Sequence, residues 1–132
     1  MGRMIKKLAM VFTSLVGVAV YANPPFPHMP TAQEVAALPE SCQAKMGQNK
    51  PLHDTWRLRM GPDKFAHLHH CCHALTAMNR LNRTFDKRLR RDLLQRATQE
   101  FDYVIRNWPP DFYLAIDAKR QQAMAQSMLK LA

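Results

Sequence analysis

Four histidines and two cysteines fall within one stretch of seven residues: His67, His69, His70, Cys71, Cys72 and His73. On a helix, His69 and His73 stand one turn apart on one face, and His67 and Cys71 stand one turn apart on a neighbouring face. Two imidazoles at i and i+4 make a ready two-nitrogen donor for zinc or copper. A tetrahedral zinc needs four ligands, so His28, His53 or Asp54 would have to supply the rest. In this reading the candidate ligands are His67, His69, His70, Cys71 and His73, with zinc or copper as cofactor. The plainer reading has the histidines half-buried and hydrogen-bonded between two helices, with no cofactor.

Other chemistries of these residues are poorly provided for. The haem-attachment pattern Cys-x-x-Cys-His is absent, as is a thioredoxin-like Cys-x-x-Cys pair. A catalytic cysteine needs a positioned base and an oxyanion site, and no glycine-rich turn or third orienting group stands at a recognisable spacing. No enzyme is expected. Adjacent cysteines on a helix point about 100° apart, so Cys71 and Cys72 do not pair easily with each other. In an oxidising compartment the partner comes from Cys42. Cys72 shares the apolar spacing of Phe65, Leu68 and Leu75, which makes Cys42 to Cys72 the expected disulfide. A quarter-turn shift of the buried face would put Cys71 in its place.

The elements that must position these groups are marked by prolines and by apolar period. Residues 23–30 are too rich in proline to be helical and should run extended. Thr31 and Glu34 form a capping box, and a short helix follows until Pro39. Residues 40–62, with Gly47, Pro51, Gly61 and Pro62, read as a long irregular connection with at most a turn of helix near Trp56. Asp63 is expected to cap a helix reaching about Arg80, with Phe65, Leu68, Cys72, Leu75 and Met78 on its buried face. A second helix should carry Phe85, Leu89, Leu93, Ala97, Phe101, Val104 and Ile105 inward. A third, capped by Asp111, should bury Leu114, Ile116, Ala123, Met124, Met128 and Leu131. Strand-like alternation is absent, so the expected fold is all-α, built from short antiparallel helices.

The N-terminus reads as an address. Arg3, Lys6 and Lys7 precede a 13-residue apolar stretch over residues 8–20, short of the roughly 20 residues that a membrane span needs. Val20-Tyr21-Ala22 offers a signal-peptidase site, and Asn23-Pro24-Pro25 breaks any continuing helix. Cleavage after Ala22 is expected, giving an exported, periplasmic or secreted chain with no stable transmembrane segment after processing. Residues 1–22 hold three of the nineteen Lys and Arg and no acid, so the remainder keeps sixteen bases against ten acids and a net charge near +6. Export takes nucleic acid out of reach and leaves acidic proteins or an anionic envelope surface. The residues for such a surface are Arg80, Arg83, Lys87, Arg88, Arg90 and Arg91, with Arg96 beyond them. The alternative is a solvated helix back with Asp86–Arg90 and Asp92–Arg96 pairs at i, i+4.

Residues 97–101, from Ala97 to Phe101, together with Val104 and Pro109, resemble the second helix of a tetratricopeptide repeat. They match its small residue, aromatic, second small residue and closing proline. The segment from His69 to Leu75, with Asn79 and Arg80, is similar to a His-His-Tyr-Cys, Gly-Leu, Asn-Arg signature of exported bacterial proteins that carry such repeats. It departs from that signature at Cys71, where an aromatic stands in the family, and at Ala74, where glycine does. The resemblance spans roughly residues 63–132 and implies tetratricopeptide-like helical hairpins, one and a half to two units long. It also makes Ala97, Phe101, Val104 and Pro109 the repeat-packing residues. The chain thus divides into a leader at 1–22, an irregular proline-rich lead with one short helix at 23–62, and a helical repeat-like domain at 63–132. The function expected of it is a non-enzymatic binding or scaffold module, holding a protein partner or a copy of itself in a groove between helices. The alternative is a cell-envelope metal-binding protein.

Overall fold

The computed structural model describes residues 26–132. The leader expected at 1–22, and the start of the proline-rich lead at 23–25, lie outside the described residues. The rest is all-α: α1 (Ala32–Ala36), α2 (Glu40–Met46), α3 (Lys50–Met60), α4 (Pro62–Leu81), α5 (Lys87–Asn107) and α6 (Tyr113–Leu131), with no strand among the described residues. No described helix is long and apolar enough to cross a membrane.

Residues 40–62 are two helices rather than an irregular connection. The prolines and glycines there start and stop helices instead of forbidding them. Pro39 stands at the N-cap of α2, and Pro51 and Pro62 sit in the first turns of α3 and α4, where a missing N–H costs nothing. Asn49 caps α3, its side chain accepting from Leu52 N at 3.0 Å. Gly61, at φ 91°, closes α3 and opens α4 in one residue, a conformation that favours glycine. Asp63 is therefore inside the first turn of α4 and is not its cap.

The core forms where α4 packs on α5 and α5 on α6. Ala97, Phe101 and Val104 are fully buried at the centre, whereas Pro109 lies exposed beyond the end of α5. Two expected inner faces move. Phe85 is 94% exposed, because Asp86 caps α5 by accepting from Leu89 N at 2.7 Å and leaves Phe85 outside the helix. In α6, capped at Phe112 rather than Asp111, the buried residues are Ala115, Ala118 and Ala125. Ile116, Ala123, Met124 and Leu131 face outward. Small side chains let the α6 backbone approach α5 closely enough for Gln122 Nε2 to donate to Thr98 O at 3.2 Å. The tighter face wins over the bulkier one because close packing, not apolar count, sets the dispersion gain.

Two links hold the N-terminal third to α4. Cys42 on α2 is bonded to Cys72, with Cα atoms 5.5 Å apart, and Cys71 is the free, buried cysteine. Arg80, expected on a basic face, is 1% exposed. Its Nη2 donates to Glu34 Oε2 at 2.7 Å, its Nη1 to Pro27 O at 2.7 Å, and its guanidinium lies 4.9 Å from the Phe26 ring centre. Arg83 donates to the other Glu34 oxygen at 2.8 Å. Burial pushes the Glu34 carboxyl up, but the hydrogen bonds from Arg80 and Arg83 overcome this and hold it below its ordinary 4.5.

Non-reducing peptide mapping is expected to return Cys42 joined to Cys72 with Cys71 free, and loss of the bond should cost about 3–4 kcal/mol of stability. Glu34→Gln should be worse tolerated than an exposed charge loss, at about 3–5 kcal/mol, because it leaves a buried guanidinium without its counter-ion. Since Glu34 titrates lower when folded, its contribution is present above about pH 4.5 and is lost as pH falls through the folded value. Equal melting temperatures for Glu34→Gln and the parent at neutral pH would refute this account of the pair.

Candidate functional site

The histidines of α4 form a ladder of rings along the α4–α5 seam rather than a convergent set. His70 lies 4.1 Å from His69 and 3.7 Å from Tyr103, centre to centre. His67 lies 5.6 Å from Tyr103, centre to centre. His73 meets His69 at 6.4 Å and is stacked by His28 of the lead at 5.7 Å. Ring nitrogens are engaged as well: His69 Nδ1 donates to Ala66 O at 3.0 Å, since a carbonyl only accepts, and His70 Nδ1 lies 2.6 Å from Glu100 Oε2. His67 Nδ1 is 3.2 Å from the Tyr103 hydroxyl.

Cys71 does not join them. It is 5% exposed, and burial, aided by the Asp117 charge, pushes its thiol up to about 12 from an ordinary 9.0. A thiol that stays protonated is a poor nucleophile at neutral pH. His53 packs edge-on against Phe65 at 4.9 Å, beside Asp54. Among the described residues, no group of three His, Cys, Asp or Glu side chains is placed to hold a metal ion.

The expected basic face also changes membership. Arg80 is sealed inside, and Arg90 is drawn into the α4–α5 turn, where its Nη1 donates to Leu81 O at 2.6 Å and Thr84 O at 3.0 Å. These carbonyls lie at and just beyond the end of α4, where a cation also suits the helix dipole. Arg83 is half-exposed but already paired with Glu34. Lys87, Arg88 and Arg91 remain exposed, with Arg91 Nη2 3.3 Å from Ala132 O. A groove between α1 and the end of α4 is lined by Gln33, Asn79, Asn82 and the Glu34–Arg83 pair, whose charges are committed to each other.

Ile116, Met124 and Leu131, expected inward, lie with Tyr113 on the outer face of α6, whereas Leu114 and Met128 pack against the core as expected. Tyr113, Ile116, Met124 and Leu131 are 59%, 48%, 52% and 90% exposed. Asp117 and Arg120 lie on the same side, 3.6 Å apart. The missed signal is that the inner face of α6 is set by alanines at 115, 118 and 125, flanked by Leu114, Met128 and Leu129, which leaves residues 113, 116, 124 and 131 on the opposite side. No known family, curated protein or solved structure matches the chain.

Burial is the main cause that lowers His69 and His73 below the ordinary 6.5. His70 and Lys45 add to it at His69, and His28, His69 and His70 at His73, with Glu100 opposing at both. A histidine that titrates lower when folded lets the unfolded chain take up protons first, so stability is full above about pH 6.5 and falls as pH drops from there through the folded values. The melting temperature should therefore fall as pH drops below about 6.5, and less steeply in His69→Gln/His73→Gln. Parallel curves for the two proteins would refute it.

Proposed function

We propose that this chain is an exported, non-enzymatic binding or scaffold module, tetratricopeptide-like in its α4–α5–α6 arrangement, that takes a protein partner on the outer face of α6. The observation that carries the reading is that four bulky apolar side chains of α6 are exposed while its alanine face is packed. Clustered exposed apolar side chains cost solvation free energy, and on soluble proteins they mark interaction surfaces. In a stacked helical repeat this is the face on which a following helix would pack. Support for export is the basic, then apolar, then small-residue order of residues 3–22, with an intramolecular disulfide of the kind that persists in oxidising compartments.

A metal-binding role for the histidine ladder has one observation in its favour. His69 and His70 both have Nδ1 held by an acceptor, as metal-ligating histidines do, which leaves each Nε2 free. Two such nitrogens are fewer than a structural zinc site requires. Zinc or copper in elemental analysis of tag-free protein would favour it.

The mature protein should begin at Asn23. Immobilised in that form and exposed to solubilised envelope proteins, it should retain a partner that Ile116→Glu/Met124→Glu does not. Equal retention by both proteins would place binding elsewhere, and a mature N-terminus at Met1 would remove the export step.

A further inference from the structure

We infer that the outer face of α6 pairs with the same face of a second copy of this chain, antiparallel about a two-fold axis that passes between residues 118 and 119. The inference rests on the reading of that face as a binding surface and names its occupant.

Tyr113, Asp117, Arg120 and Met124 follow one another at intervals of four, three and four, the spacing of a coiled-coil seam. At roughly 100° per residue they stay within about 60° of one another around the helix, with Ile116 on one flank and Met128 on the other. When two such seams run antiparallel about an axis between 118 and 119, Tyr113 meets Met124 of the other copy, and Asp117 meets Arg120. The two-fold repeats both contacts, so four layers close on themselves with charges opposed and a thioether against each aromatic ring. Within one chain the Asp117–Arg120 pair is slack, at 3.6 Å with side chains 45% and 71% exposed, and Asp117 Oδ2 also accepts from Gln121 Nε2 at 3.1 Å, which leaves the exposed Arg120 guanidinium the freer of the two to turn to a second carboxylate.

Charge selects this register. A slide that centres the axis on residue 122 overlaps more of the helix but sets Asp117 against Ser127 and Arg120 against Met124. Both charges would then be desolvated without opposites, a cost that extra apolar overlap at the ends does not offset. Four layers along a single helix make a contact below the ~1,200 Å² of a stable interface, so the dimer is weak and depends on concentration.

Sedimentation of the purified mature chain over a concentration series tests this. Reversible dimerisation is expected. Asp117→Arg alone and Arg120→Asp alone should each weaken it roughly tenfold, because like charges then face each other across the seam. Asp117→Arg/Arg120→Asp should restore it, and circular dichroism should show all variants equally helical. A chain that is monomeric at every concentration overturns the inference, as does a double variant no better than the singles. If α6 captures a different envelope protein while the chain stays monomeric, the inference fails and the binding-module reading stands.

Discussion

A guanidinium taken out of water has to be met on nearly every side, and Arg80 sets where the N-terminal third of this chain goes. α1 is five residues long and has no buried residue of its own, far too little to hold a helix in isolation. It is held by Glu34, which serves at once as the third residue of its capping box and as the counter-ion of Arg80 and Arg83. The carbonyls of Pro27 and Met29 take remaining guanidinium donors, and Phe26 lies across the flat of both arginines. The extended lead is thus placed by the donor geometry of one side chain of α4, and its His28 is brought onto His73 as a result. The disulfide repeats the same logic from α2, so that both links converge on α4.

What was legible in the sequence is what depends on near neighbours. The box at Thr31 and Glu34, the apolar period of α4 and α5, the burial of Ala97 and Phe101, and the choice of Cys72 over Cys71 all follow from local spacing. What was not legible depends on partners distant in the chain. Nothing near Arg80 distinguishes it from Arg83 or Arg88; its fate is decided by a glutamate 46 residues earlier. The helices of residues 40–62 were hidden because proline and glycine mark both the inside of loops and the starts and ends of helices. Only the cap at Asn49 and the single left-handed residue at Gly61 tell the two uses apart.

The error at α6 has a different origin and bears on function. Bulky residues are expected there to define the inner face, whereas its centre is three alanines with Leu114, Met128 and Leu129 at the margin. With Ala115, Ala118 and Ala125 turned inward beside Leu114, Met128 and Leu129, the side chains of Tyr113, Ile116, Met124 and Leu131 are left on the exposed side of α6. The histidine ladder is governed by the opposite tendency. Its rings are consumed in contacts among themselves and with Tyr103, Ala66 and Glu100, which favours a polar seam between helices over a convergent ligand set.

Cys71 bears on how well the Cys42–Cys72 bond is protected once it has formed. While the polypeptide is unfolded, two adjacent thiols compete for Cys42, and either can attack a bond made by the other. Exchange needs a thiolate. In the native state burial raises the Cys71 thiol to about 12 from 9.0, which makes its thiolate scarcer. Burial of Cys71 in the folded chain thus quenches the thiol that stands next to the cross-link in the sequence and would be best placed to undo it.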